Sequence, residues 1–212
     1  MKLKAIAAAF KRNKRLVIYN TRKGEQWITN GQAVYRLDGF AGIHLIDNTI
    51  LRIFDIPPNK HKDWICEEGD LPLEINTADN IPEESDLELS GIRIGWLVDV
   101  NWVLLGEKEV YTINEDYIKP LLGQRDESLT FHLRKFGDGG MLIAVKLGLE
   151  LKALICPTPL STSADYMNDF RKLSTGYRHM TSMSILDALG ITFETGGGVL
   201  NDDSDTGETK DK

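Results

Sequence analysis

Cysteine and histidine are scarce in this chain. Its 212 residues include two cysteines and four histidines. Cys66 and Cys156 stand far apart in apolar surroundings, which indicates small buried thiols rather than a disulfide framework or a metal-binding pair. The histidines are scattered, at His44, His61, His132 and His179. None belongs to a ligand spacing such as His-Glu-x-x-His, so we expect no metal and a reducing, cytoplasmic compartment.

Long hydrophobic runs are also missing. No stretch reaches the roughly 18 apolar residues that a membrane-spanning helix needs. The apolar run at residues 5–10 is short and basic residues follow it at once, which is not typical of a signal peptide. An apolar content of 42% is nevertheless enough to bury a core. We expect a soluble protein without a membrane partner.

The common catalytic signatures do not occur in the sequence. There is no Gly-x-Ser-x-Gly elbow, and neither cysteine has the local signature of a nucleophile. The glycine-rich stretches at 137–140 and 196–198 lack the Lys-Ser/Thr of a phosphate-binding P-loop. They are more typical of a hairpin turn and a flexible linker. The sequence therefore predicts a protein that is not an enzyme, with no catalytic residues and no cofactor.

Acidic side chains are absent from the first 23 residues. This stretch carries eight basic ones: Lys2, Lys4, Lys11, Arg12, Lys14, Arg15, Arg22 and Lys23. Since the whole chain sums to −7, the rest of the chain carries a formal charge of −15. The molecule is therefore strongly polarised, with a basic start on an acidic body.

The basic stretch begins with an amphipathic helix, predicted from residue 3 to about residue 13. Its apolar side chains follow the helical period, at Leu3, Ile6, Ala7 and Phe10. The cations are expected on the opposite side, at Lys4, Lys11, Arg12 and Arg15. Small alanines in between would let these cations approach the phosphates of a nucleic acid or an anionic membrane. The alternative is a solvated helix face whose lysines bind nothing specific.

Basic side chains are absent from residues 63–92, which hold ten carboxylates. Such a segment can bind a divalent metal, mimic a nucleic acid or meet a basic partner, but a solvated loop is the commoner structure. The spacing does not match an EF-hand loop, so calcium is not expected. We predict a solvated acidic segment.

Two similar units of a helix followed by a hairpin are predicted from alternation and turn signals. In the first, strands at 16–19 and 26–29 flank a turn at Gly24, and a further strand follows Asn30-Gly31. In the second, a short helix capped by Asn114 precedes strands at 129–134 and 141–145. Ile6, Leu16 and Gly24 recur as Ile118, Leu129 and Gly137, at offsets of 112, 113 and 113. This pattern indicates a weak internal duplication.

The remaining strands complete an α+β fold of antiparallel sheets with a few short helices. They are predicted at 50–54, 92–98, 102–105, 110–112 and 149–155, the last ending at Pro157 and Pro159. Residues 1–160 would form the body, with halves at 1–60 and 93–160 joined by an acidic segment at 61–92. Residues 161–195 would form a helical extension that packs on the body or on a neighbouring subunit. Residues 196–212 would be a disordered acidic tail.

Two short motifs carry a resemblance to a known family. Ile-Asn-Glu-Asp-Tyr-Ile-Lys-Pro-Leu-Leu at 113–122 and Leu-Ile-Cys-Pro-Thr-Pro-Leu at 154–160 resemble the last domain of a bacterial sliding DNA clamp. Thr29-Asn30-Gly31 with Arg36-Leu37 is similar to a Thr-Asp-Gly-x-Arg-Leu element of that family. The resemblance covers about half of the chain. Cys156 and Pro159 depart from the family's Met and Arg, and 52 residues follow Leu160 where the family's chain ends.

The resemblance implies a DNA-clamp-like fold, a ring-forming homo-oligomer and a role in DNA replication. It also implies a pocket for peptides of replication proteins, to which Ile155, Pro157 and Leu160 would contribute. We predict contacts with the phosphates of duplex DNA through Lys4, Lys11, Arg12 and Arg15. The alternative function is an interaction or structural module whose acidic surface binds a basic partner.

Overall fold

The computed structural model describes residues 2–37, 47–96, 99–107, 109–122, 129–137, 139–161 and Lys172. The helices are α1 (Leu3–Phe10), α2 (Asp47–Ile53), a 3₁₀ helix (Pro58–Asp63) and α3 (Glu115–Ile118). The strands are β1 (Arg15–Asn20), β2 (Gln26–Thr29), β3 (Ala33–Arg36), β4 (Ile65–Asp70), β5 (Ser85–Trp96), β6 (Asp99–Leu105), β7 (Val110–Asn114), β8 (Leu129–Phe136), β9 (Gly140–Leu147), β10 (Glu150–Ile155) and β11 (Thr158–Ser161).

All eleven of these strands belong to one sheet, in the order β11-β7-β6-β5-β8-β9-β10-β3-β2-β1-β4. Every neighbouring pair is antiparallel except β1 and β4, which are parallel. The long strand β5 joins the two parts of the sheet, because its first residues pair with β8 and the rest pair with β6. The predicted α+β class, with short helices on a largely antiparallel sheet, is confirmed.

Two helix-plus-hairpin units are visible in the element order. The first is α1 followed by β1, β2 and β3, and the second is α3 followed by β8, β9 and β10. The equivalent turn residues Gly24 and Gly137 both have positive φ, at 78° and 51°. This left-handed backbone costs a glycine little, so the hairpins close without strain. The units meet where β3 pairs with β10, with Val34 opposite Leu154.

The main core lies between the helices and one face of the sheet. Phe10 of α1 is fully buried. The centroid of its ring lies 6.0 Å from that of Tyr35 and 6.5 Å from that of Phe54. The two units also touch through their helices, since the backbone N–H of Lys2 donates to the carbonyl oxygen of Pro120 at 2.9 Å. The helices therefore form one layer and the sheet the other.

The opposite face of the sheet has its own smaller core around Trp27 and Leu154. Ile75 packs against this cluster from the segment between β4 and β5. We name residues 71–84 the anchored loop, because buried charges fix it to the sheet. Arg134 and Lys146 are both buried on the sheet, and both donate hydrogen bonds to the carboxylate of Glu84.

Three predictions of secondary structure are wrong. Residues 50–54 do not form a strand; they lie largely in α2, where the N–H of Phe54 donates to the carbonyl of Ile50 at 2.9 Å. Ile50, Leu51 and Phe54 are all buried, which is the spacing of one helix face. The local preference of residues 50–54 for a strand is outweighed by the packing of Phe54 against Phe10.

The acidic segment is not simply a solvated loop, because β4 and the start of β5 lie within it. Its carboxylates are tolerated in strands since most of them point to solvent.

The chain also does not leave the sheet at Pro157 and Pro159. It pairs again as β11, an outer strand in which Pro159 lies opposite Tyr111. An outer strand can contain proline because the backbone groups along one of its edges form no hydrogen bonds to a neighbouring strand.

The helical extension predicted at residues 161–195 lies outside the described residues except for Ser161, which ends β11, and Lys172. The acidic tail predicted at residues 196–212 lies wholly outside them. Within the described ranges, no helix is both long enough and apolar enough to cross a membrane.

Candidate nucleic-acid interface

The parallel pairing of β1 and β4 places their amino ends side by side. Arg15 lies opposite Ile65, and the backbone N–H of Ile65 donates to the carbonyl oxygen of Lys14 at 2.9 Å. The residues that precede each strand are therefore neighbours. The turn after α1 precedes β1, and the 3₁₀ helix Pro58–Asp63 precedes β4.

Six exposed cations meet at this end of the sheet, which we name the basic end: Lys11, Arg12, Lys14, Arg15, Lys60 and Lys62. Two of them, Lys60 and Lys62, come from the 3₁₀ helix and were not among the predicted residues. The carboxylates that pair with this group are Asp63, Glu67 and Asp99. The basic end thus keeps an excess of positive charge on a chain that is acidic overall.

Lys11, Lys60 and Lys62 have no ion pair with any described residue. Lys11 is the C-cap residue of α1 and is exposed to solvent. Lys60 and Lys62 are exposed as well and lie near Asp63 in the chain. An exposed ammonium without a carboxylate partner is free to meet an external anion. These three lysines are the strongest candidates for phosphate contacts in the described part of the chain.

Three of the four predicted phosphate contacts already have carboxylate partners. Lys4 pairs with Asp55 at 2.9 Å, Arg15 with Glu67 at 3.1 Å, and Arg12 donates two hydrogen bonds to Asp99 at 2.8 and 3.0 Å. The hydrogen bond to Asp55, with the charge of that carboxylate, raises the pKa of Lys4. Exposed ion pairs of this kind are weak because water and salt screen both charges, so a phosphate can compete for the cations.

The prediction placed all four cations on one helix, and this is wrong for two of them. Arg15 is the first residue of β1, and Arg12 lies in the turn after α1 ends at Phe10. The four residues still lie close along the chain, but the surface that they form includes a strand end. Lys4 is about two turns away from Lys11 along α1, and it pairs with Asp55.

Helix α3 does not add to the positive surface. Its first turn carries Glu115 and Asp116, and Lys119 forms ion pairs with both of these carboxylates. The hydrogen bond to Asp116 raises the pKa of Lys119. The second unit therefore supplies a helix of similar position but of different charge.

The residues proposed for a partner-peptide pocket are placed differently from one another. Ile155 is fully buried in the main core and pairs with Ala33, so its side chain is not available at the surface. Pro157 is half-buried in the connection between β10 and β11. Leu160 lies in β11, and its side chain is outside the described set.

The two described histidines have structural hydrogen bonds. His61 contacts the carbonyl oxygen of Ile56 at 2.8 Å, and His132 contacts Asp86 at 2.8 Å and Thr130 at 3.0 Å. Among the described residues, no three His, Cys, Asp or Glu side chains are arranged to hold a metal ion.

The sequence carried a signal for the missed lysines in the run Lys60-His61-Lys62 after Pro57-Pro58. The run is short and directly precedes the acidic segment, so its charge is lost in any average along the chain. The pairing of β1 with β4 brings it to the same end of the sheet as the start of β1.

Comparison of the chain with known protein families, with curated proteins and with solved structures gives no match. The chemistry of the basic end therefore has to be argued from its own residues.

Proposed function

We propose that this protein binds the phosphates of duplex DNA, without sequence preference, through the basic end. The observation that supports the proposal is the parallel pairing of β1 with β4 on an acidic chain. It brings the segments that carry Lys11 and Lys60-His61-Lys62 to the same end of the sheet. Phosphate contacts by lysine and arginine supply most of the affinity in sequence-independent binding. The protein would act without catalysis, as a DNA-clamp-like accessory factor in replication.

The repeated helix-plus-hairpin units support the clamp-like part of this proposal. The resemblance in sequence covers about the first 55 residues and residues 110–160, so it includes parts of both units. The outermost described strands of the sheet, β4 and β11, are candidates for edge-to-edge contact with another copy. Light scattering with and without DNA tests whether the chain assembles, because a ring has a fixed multiple of the monomer mass.

The alternative function, in which the acidic surface binds a basic partner, has less support. Glu67, Asp79 and Glu84 of the acidic segment are bound by cations of the same chain. Part of the negative charge is therefore used inside the molecule.

The test is fluorescence anisotropy of a labelled DNA duplex with the full chain at low salt. The variant Lys11→Glu/Lys60→Glu/Lys62→Glu removes the three unpaired cations without leaving any described carboxylate alone. We expect it to lose most of the affinity. For the wild type, the logarithm of the affinity should fall with the logarithm of the salt concentration, by about 0.9 per phosphate contacted.

The matched control is Arg22→Glu/Lys23→Glu, in the turn at the other end of β1. A six-residue strand separates the two ends by about 20 Å, so this variant should bind DNA as the wild type does. If the duplex fails to bind to the wild type, or if the control loses as much affinity as the triple variant, the basic end is not a nucleic-acid interface. Changing Lys4, Lys11, Arg12 and Arg15 together is a less specific test. It leaves three carboxylates without their cation partners: Asp55, Asp99 and Glu67.

A further inference from the structure

A cleft opens at the end of β1 that is opposite to the basic end. Its volume is about 590 Å³, within the range of sites that hold small molecules or short peptide segments. One wall is the turn between β1 and β2, with Arg22 and Lys23, and the other wall is the first half of the anchored loop, from Leu71 to Asp79. No role in the proposed DNA binding uses this cleft.

The loop wall is held in place before any ligand arrives. The buried guanidinium of Arg134 donates to the carbonyl oxygens of Asn76 and Ala78, at 2.5 and 3.0 Å. The carboxylate of Asp79 accepts a hydrogen bond from the backbone N–H of Leu151 at 2.9 Å. A preorganised wall lowers the entropy that binding costs.

The apolar part of the cleft comes from the same loop. Leu73 is 90% exposed, and Leu71, Pro72 and Ile75 are partly exposed beside it. Leu73 contributes nothing to either core, although the loop that carries it is anchored by buried charges. A cluster of four apolar residues along one cleft wall is more than the isolated exposed leucine of an ordinary surface.

The charges of the cleft divide into two groups. Glu25 and Asp79 both pair with Arg36 on the floor, at 2.8 and 3.5 Å. Arg22 and Lys23 are exposed and have no ion pair with a described residue, whereas Asp70 is the remaining carboxylate of the lining. The lining as a whole holds three cations and three carboxylates. Because Arg36 engages Glu25 and Asp79, the charged groups left for a ligand are Arg22, Lys23 and Asp70.

We propose that this cleft is a docking site for an extended acidic peptide in which apolar residues stand next to carboxylates. The apolar side chains would pack on Leu73 and its neighbours, and the carboxylates would pair with Arg22 and Lys23. The site is separate from the basic end, so the protein would bind DNA at one end of β1 and a protein partner at the other.

The probe is a fluorescein-labelled peptide with two leucines followed by four aspartates between glycine and serine ends. Its anisotropy is measured with the full chain, together with a peptide whose aspartates are lysines and one whose leucines are serines. We expect the first peptide to bind and both of the others to bind at least about fivefold more weakly. Arg22→Glu/Lys23→Glu should weaken binding of the first peptide about tenfold, and Leu73→Ser should weaken it about fivefold.

The matched control is Lys60→Glu/Lys62→Glu, which should leave peptide binding unchanged while it weakens DNA binding. The two sites are thereby tested independently, because each pair of charge changes serves as the control for the other site. Absence of binding at millimolar peptide would overturn the proposal. Equal binding of the aspartate and lysine peptides, or binding that survives both cleft variants, would overturn it as well.

Discussion

At the scale of single residues, Glu84 fixes the anchored loop to the face of the sheet that is opposite the helices. Its carboxylate lies between the side chains of Arg134 and Lys146, and all three are nearly inaccessible to solvent. Lys146 also donates to Asn80 at 3.1 Å. Two buried cations with one buried carboxylate are stable only while every partner is present. The sequence shows none of this, because Glu84 is 50 positions away from Arg134 and 62 positions away from Lys146.

Glu84→Gln should destabilise the protein by about 3 kcal/mol, since it leaves Arg134 and Lys146 buried without a counter-charge. Urea unfolding followed by tryptophan fluorescence measures the free energy of unfolding. Glu83→Gln is the matched control, because Glu83 is an exposed neighbour in the same loop. Equal stability of the two variants would contradict a structural role for the buried cluster.

The same residue predicts how stability depends on pH. Burial alone would raise the pKa of Glu84, but the hydrogen bonds from Lys146 and Arg134 outweigh it and hold the pKa below its ordinary value of 4.5. A carboxylate with a lowered pKa stabilises the fold above the pKa of the unfolded chain, and this stabilisation is lost as the pH falls through the folded value. The free energy of unfolding of the wild type should therefore fall more steeply below about pH 4.5 than that of Glu84→Gln. Parallel pH profiles would exclude the mechanism.

At the scale of secondary-structure elements, α3 is defined by its amino-terminal cap. Asn114 has an extended backbone, and its side-chain oxygen accepts a hydrogen bond from the N–H of Asp116 at 2.9 Å. Glu115 and Asp116 in the first turn add favourable charge near the helix start. The cap was predicted correctly, because capping involves residues that are adjacent in sequence. The helix is shorter than predicted, and tight turns over residues 118–122, which include Pro120, replace its second half.

Asn114→Ala should cost about 1 kcal/mol of stability, the typical cost of losing a cap. Asn114→Asp keeps the acceptor oxygen and should restore most of the loss. Thermal unfolding of the two variants beside the wild type measures both effects. A loss in Asn114→Asp as large as that in Asn114→Ala would show that the side chain stabilises the chain through another contact.

At the scale of the whole molecule, the eleven-stranded sheet makes the two units interdependent. The seam between them is the pairing of β3 with β10, where Ala33, Tyr35, Ala153 and Ile155 are fully buried. One continuous main core contains residues of both units, from Phe10 to Ile155. Neither unit closes its own core, so they should unfold together.

Unfolding should therefore give a single transition in the first unit and in the strands beyond β5. Trp27 lies in β2 of the first unit and Trp102 lies in β6, outside both units, and both are buried. Variants in which Trp27 or Trp102 is the only one of the chain's four tryptophans report on each region separately by fluorescence during urea unfolding. We expect the same midpoint for both reporters once any change in overall stability is corrected with circular dichroism. Two distinct midpoints would mean that the sheet is not one cooperative body.

Local sequence patterns predicted the features that depend on neighbouring residues. The hairpins of both units, their turns at Gly24 and Gly137, the cap at Asn114 and the amphipathic character of α1 were all predicted. Each of these features depends on contacts within a few residues, so the local pattern contains the information. The polarised charge was likewise visible in the order of residues.

Contacts between residues far apart in the sequence depended on the fold. Residues 50–54 lie largely in helix α2, Arg12 pairs with Asp99, Ile155 is buried, and the segment with Lys60 and Lys62 lies at the same end of the sheet as the start of β1. The physical reason is that strand pairing and core packing join segments tens of residues apart. Their partners are chosen by the energy of the whole sheet and core, which local periodicity does not encode.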